Sequence, residues 1–149
     1  MLFLDTNAVL YYLHGVEPYS RAVEDLVSEE DELYTSVRVL DEAIFTIVRT
    51  GAWTKLGIRR IEKLREYIRE HGYGPFKDDV DELYRFLGDL NVVVVGDKAM
   101  PQELREAAER FHLLPADAVI ALTCRHHGID TILTFDEDFR RVPWLRVAP

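Results

Sequence analysis

No run of this chain that reads as a β-strand exceeds four residues, and most such runs are followed by a longer segment whose apolar residues recur every three or four positions. Short strands joined by helices are the pattern of parallel pairing, because a parallel strand needs a long crossover to return to its starting edge. Leu2-Phe3-Leu4 opens the series, and the polar Asp5-Thr6-Asn7 turn can cap a helix running through Ala8 to Leu13. Helical spacing returns at Ala22, Val23, Leu26 and Val27. Leu33-Tyr34-Thr35 suits a second strand, and Ser36 can cap a helix carrying Val37, Leu40, Ile44, Ile47 and Val48, with Gly51 as its expected end.

Ile58, Ile61, Leu64 and Ile68 predict another amphipathic helix; Gly72, Gly74 and Pro75 break it before Val80, Leu83, Tyr84 and Leu87 begin the next. Together they read as a helical hairpin. Val92–Val95, four β-branched residues between Asn91 and Gly96, predict a strand buried on both faces. Helices over Pro101 to Phe111 and Pro115 to Cys124 follow, the second closed by Gly128. Thr131-Ile132-Leu133-Thr134 returns to strand before the acidic turn Asp136-Glu137-Asp138, and Trp144 to Val147 is at most a weak edge strand after Pro143. The expected fold class is α/β, a three-layer α/β/α sandwich with a mostly parallel central sheet and a helical hairpin.

The 149 residues suit one compact unit spanning 1–149, with the helical segment at about 53–90 as an elaboration. A hydrophobic content of 48% with 30% charged residues excludes disorder as the main state. Cys124 is the only cysteine, so no internal disulfide forms, and a reducing, cytoplasmic setting is expected. The apolar start is cut by Asp5 with no basic region before it, which argues against a signal peptide. No apolar run reaches membrane-spanning length. The formal charge of -9 opposes global attraction to nucleic acid, so any such contact must be local.

In a parallel α/β sheet, strand carboxyl ends and helix amino ends share one edge, and ligands bind there. Four acids fall at or near that edge: Asp5 after the first strand, Glu42 near the start of the Ser36 helix, Asp117 in the first turn after Pro115, and Asp136 after the Thr131 strand. Asp138 can add a further ligand. Two carboxylates about 4 Å apart repel by roughly 4 kcal/mol at an effective dielectric near 20, so protons or cations must neutralise the group. An all-oxygen donor set selects Mg²⁺ or Mn²⁺, whose useful chemistry is in-line displacement at phosphorus. Each acid also has an ordinary alternative. Asp5 and Asp117 suit helix caps or first-turn acids, Asp136 and Asp138 suit a turn, and Asp41 competes with Glu42 for the inward position.

At these residues the sequence resembles the PIN-domain family, in particular VapC-like toxin ribonucleases. The resemblance is carried by Leu2-Phe3-Leu4-Asp5-Thr6-Asn7, by Ser36 to Ile44 with Glu42, by Ala116-Asp117-Ala118, and by Leu133 to Phe139. It implies a PIN fold and Mg²⁺- or Mn²⁺-dependent RNA cleavage with Asp5, Glu42, Asp117 and Asp136 as metal-binding carboxylates. Thr6, Asn7 and Thr134 match polar positions that support those ligands. The resemblance also implies an antitoxin partner and a homodimer. The length of Trp53 to Leu90 departs from a minimal toxin.

From Arg49 to Arg69 the chain carries seven basic residues and two acidic ones. Arg38, Arg49, Lys55, Arg59, Arg60 and Lys63 are therefore candidates for a rim that tracks RNA phosphates, against the alternative of a solvated helix face. Two other functions compete with RNA hydrolysis. A phosphatase using Asp5 as nucleophile lacks the acid two residues on, where Asn7 stands; a non-catalytic interaction module would use the hairpin for partner binding. Cys124, His126 and His127 do not complete a zinc set.

Overall fold

A computed structural model describes all 149 residues. Five strands, β1 (Leu2–Leu4), β2 (Leu33–Ser36), β3 (Val93–Val95), β4 (Thr131–Leu133) and β5 (Arg146–Ala148), form one sheet in the order β3-β2-β1-β4-β5. Every pairing is parallel. Seven helices connect and flank them: α1 (Thr6–Leu13), α2 (Tyr19–Glu29), α3 (Val37–Leu56), α4 (Ile61–His71), α5 (Lys77–Asp89), α6 (Pro101–Phe111) and α7 (Pro115–His126). The expected α/β/α architecture is what the chain adopts. No helix is long and apolar enough to cross a membrane.

Alternation along the central strands divides the core into two layers. Leu2 and Leu4 of β1 pack with Val9, Val23, Ile47, Phe86 and Leu133 on one face. Phe3 points to the other and meets Ile120, Leu122, Ile132 and Phe139. Registers Phe3↔Tyr34 and Phe3↔Ile132 hold these side chains at matching depths. Phe3 is fully buried, and burying a side chain of that kind stabilises the fold by about 1.5–3 kcal/mol. A one-residue slip of β1 would turn all three residues to the wrong layers.

The structure differs from the sequence reading at three elements. The Val92–Val95 run forms its strand over Val93–Val95 only, and at the sheet edge, with Val93 51% and Val94 41% exposed. A β-branched run encodes a strand but not its place in the order, which the crossovers decide. Gly51 does not end α3. The helix continues to Leu56 and stops at Gly57, which adopts the left-handed conformation with φ +67°. Gly51 serves packing instead, since a Cβ there would lie 2.9 Å from Cδ1 of the buried Phe76. Trp53–Leu56 therefore belong to α3, and the hairpin is α4 and α5 around a 3-10 turn at Gly74–Phe76. Finally, β5 begins at Arg146 rather than Trp144 and closes the other edge against β4.

Candidate active site

Chain direction across the sheet reverses its progress between β1 and β4. From β1 the chain builds outward through β2 to β3, then returns to β1's other side to lay down β4 and β5. Crevices of open α/β sheets form at such a junction, beyond the strand carboxyl ends. Asp5 directly follows β1, and Thr134 directly follows β4.

Asp5 is the N-cap of α1, and its Oδ1 accepts a hydrogen bond from the Thr6 amide at 2.7 Å. Its Oδ2 accepts the Thr134 hydroxyl at 2.6 Å. Thr134 Oγ1 in turn accepts from Asn7 Nδ2 at 3.2 Å and from the Asp136 amide at 3.1 Å. Asn7 Oδ1 accepts the Phe135 amide at 3.1 Å. The three residues expected to support the ligands thus tie β1, α1 and the turn after β4 into one network. Asp136 caps the 3-10 turn Glu137–Arg141 by accepting from the Asp138 amide at 2.9 Å.

Glu42 sits in the second turn of α3 and turns inward, where its Oε2 accepts from Thr6 Oγ1 at 2.9 Å. Asp41 is the exposed neighbour, which settles that choice through helix rotation. Asp117 lies in the first turn of α7. Burial raises the Asp5 pKa to about 6 against the two hydrogen bonds that lower it, and the charges of Asp117 and Glu42 push it the same way as burial. Asp117 also rises to about 6, through desolvation first and then the charges of Asp136, Glu42 and Asp138. These mutual effects put the five acids within electrostatic reach of one another beyond the carboxyl ends of β1 and β4. The ordinary cap and first-turn roles of Asp5, Asp117 and Asp136 are realised.

No three acid, histidine or cysteine side chains draw close enough to chelate an ion as they stand. Counter-charge comes from two arginines. Arg38 donates from Nη2 to Glu42 Oε1 at 3.0 Å and from Nη1 to Asp41 at 2.7 Å, and its charge lowers the Asp117 pKa. Arg141 pairs with Asp138 at 2.8 Å. Every acid and hydroxyl facing the crevice offers oxygen, a donor set that fits Mg²⁺ or Mn²⁺.

The basic segment is divided in its contacts. Lys55 is bound to Asp79 at 2.6 Å and to the Pro75 carbonyl at 3.0 Å, Lys63 to Glu66 at 3.1 Å, and Arg60 lies 3.7 Å from Glu62. Arg49 and Arg59 are exposed and stand outside these ion pairs, with Arg59 over the Trp53 ring at 5.1 Å. Arg38 is engaged by the acids Asp41 and Glu42. Asp97, which the sequence reading passed over, lies just past β3 and accepts the Arg38 amide at 3.2 Å. The strand-end rule that marked Asp5 and Asp136 would also have marked it. Cys124 is buried, His126 is bound to Glu103 and His127 to the Gly96 carbonyl, so no zinc set forms there. A cavity of about 470 Å³ beside Trp144 is lined from α6 and α7 and contains none of the crevice acids.

Residues 2–145 match the PIN domain family. Ribonuclease VapC2 of Methanocaldococcus jannaschii is 30% identical over 148 residues, covering 98% of this chain and 91% of that protein. Among solved structures, Mycobacterium tuberculosis VapC20, a sarcin-ricin loop cleaving toxin, aligns at a TM-score of 0.62 with 18% identity over 100% of both chains. VapBC2 from Rickettsia felis, bound to a DNA fragment from its promoter, aligns at 0.60 with 20% identity, covering 99% of this chain and 97% of that one. At such identities the two structures establish likeness of fold.

Proposed function

This chain belongs to the PIN-domain family, and on that premise we propose that it is a divalent-metal-dependent endoribonuclease acting as the toxin of a toxin-antitoxin pair. The observation that carries the reading is the crowding of carboxylates at the β1–β4 junction, where Asp5 and Asp117 are both raised to about 6. Such a cluster is short of positive charge, and Asp5, Glu42, Asp117 and Asp136, with Asp138 beside them, are the residues that would hold Mg²⁺ or Mn²⁺. Bound there, the ion would supply an activated water and charge stabilisation at a scissile phosphodiester. RNA as substrate is supported by the ribonuclease relative.

The chain's own groups do the positioning. Thr134 and the Thr6 amide orient the two Asp5 oxygens, Thr6 Oγ1 holds Glu42, and Asn7 holds the Phe135 backbone immediately before Asp136. Hydrogen bonds of this kind commonly tune ligand basicity and geometry at metal sites. Arg49 and Arg59 supply exposed positive charge for phosphates on an otherwise acidic protein. An antitoxin partner and a homodimer complete the reading, supported by the VapBC neighbour and by exposed Phe45, Trp53, Ile61 and Tyr73 along α3, α4 and the following turn.

The test is incubation of the purified chain with single-stranded RNA and, separately, a phosphomonoester, each with Mn²⁺ or with EDTA. Internal RNA cuts that need Mn²⁺ and fall about 100-fold in Asp5→Asn are the expected result. Phosphate release without RNA cleavage, or no reaction of either kind, overturns the proposal.

A further inference from the structure

We infer that Arg38 is a displaceable internal counter-ion of Glu42, a latch that Arg38 must release before Glu42 can take a divalent cation, and that Asp41 is where the released guanidinium is held. The inference rests on the metal-dependent reading above and names a regulation of that same site.

Arg38, Asp41 and Glu42 occupy positions i, i+3 and i+4 on the first two turns of α3, so a guanidinium at the first reaches both acids on one face. The fork is divided between them: Nη2 bonds the inward acid Glu42 at 3.0 Å and Nη1 bonds the outward acid Asp41 at 2.7 Å. The crevice oxygen Glu42 Oε1 is therefore met by a positive charge from within the chain.

Two observations make this contact exchangeable rather than architectural. Glu42 does not depend on Arg38 for its orientation, because Oε2 is held independently by Thr6 Oγ1 at 2.9 Å. In this pose Arg38 Nε is buried without a hydrogen-bond partner, a desolvation cost that a move toward solvent would relieve. Asp41 is exposed and gives the moving guanidinium a second anchor without breaking the Nη1 bond. A cation entering beside a guanidinium that stayed would meet like charge at short range.

The consequence is an opposite response to two neighbouring substitutions. Mn²⁺ binding to the full chain is read from loss of the free-ion paramagnetic resonance signal, with thermal melting of each variant alongside. Arg38→Met should tighten Mn²⁺ binding roughly tenfold by removing the competing charge. Asp41→Asn should weaken binding several-fold, because Arg38 is left with Glu42 as its only strong partner. Arg38→Lys, which keeps the charge, should return affinity to near that of the unaltered chain. A purely architectural Arg38 would instead give weaker binding in Arg38→Met. That result, or tighter binding in Asp41→Asn, overturns the latch. Asp41→Asn decides the question alone if Arg38→Met does not fold. If Glu42→Gln loses Mn²⁺ binding while Arg38→Met matches the unaltered chain, the latch falls and the metal site stands. An unaltered chain that binds no Mn²⁺ overturns both.

Discussion

The Thr134 hydroxyl donates to Asp5 Oδ2 at 2.6 Å, spanning 129 positions of sequence to join the carboxyl ends of β4 and β1. The same oxygen accepts from Asn7 and from the Asp136 amide, so one side chain aligns two candidate ligands. Thr134→Val removes the hydroxyl and keeps the shape. It should cost about 1–3 kcal/mol of stability, because it leaves buried polar groups without a partner. Since the Thr134 bond lowers the Asp5 pKa, its loss should move the acid limb of the cleavage profile to higher pH. Thr134→Ser should behave as the unaltered chain. Denaturant unfolding and a pH-rate series check both effects.

Acidity acts in opposite directions on the metal-free fold and on metal binding. Asp5 rises from 3.8 to about 6 on folding, so between those values the folded chain holds a proton that the unfolded chain has released. The stabilising contribution of Asp5 is full below 3.8 and is lost as pH rises through about 6, by about 3 kcal/mol for a shift of that size. Asp117 shifts the same way, discounted because it is only half buried. Other groups titrate too, but these two predict a metal-free protein that loses stability from pH 5 to pH 8. Mn²⁺ needs the deprotonated acids, so the rise in melting temperature on adding it should be larger at pH 8 than at pH 5. RNA cleavage should likewise increase from acid toward neutral pH. Melting curves with EDTA and with Mn²⁺ at both pH values measure the two trends; equal Mn²⁺ stabilisation at both contradicts the assignment.

Gly51→Ala places a Cβ 2.9 Å from the Phe76 ring in the small core formed with Val48, Ala52 and Leu64. Overpacking costs about 1–3 kcal/mol and the gain in helix propensity returns about 1 kcal/mol, so the variant should lose up to about 2 kcal/mol. Cleavage per folded molecule should not change, because the substitution lies away from the crevice. Urea unfolding with an activity assay on the same samples separates the two.

Arg49 and Arg59 differ from Lys55 and Lys63 in having no acidic partner in the ion pairs of the segment. Replacing either arginine by Gln should weaken RNA binding and reduce the salt dependence of affinity by about one unit of slope each. Lys55→Gln and Lys63→Gln should change it less, since their charges are already paired. Binding titrations across a range of salt concentrations compare the four.

What the sequence made legible was local in origin. Leu2–Leu4, Thr131–Leu133 and the helices opened by Pro101 and Pro115 carry their own periodicity and caps and stay close to the expected bounds, and the Ser36 helix begins where expected although it runs past Gly51. The strand-end rule then brought Asp5, Asp117 and Asp136 to one edge, because that edge follows from topology without side-chain detail. What was not legible depended on distant partners. Gly51 and Gly57 look alike as helix stops, and only the arrival of Phe76 distinguishes a packing glycine from a cap. The valines of β3 encode a strand, but the return of the chain to the far side of β1 leaves them at an exposed edge. Arg38 reads in the sequence as part of a phosphate-tracking rim, and its fork on Asp41 and Glu42 depends on side-chain direction that charge counting does not carry.

Anomalous diffraction from a crystal soaked in Mn²⁺ tests the central claim most directly. A peak at coordination distance from Asp5 and at least two of Glu42, Asp117 and Asp136, absent in an Asp5→Asn crystal, is the predicted result. Manganese bound elsewhere, or no peak in the crevice from protein that cleaves RNA in the same buffer, would contradict it.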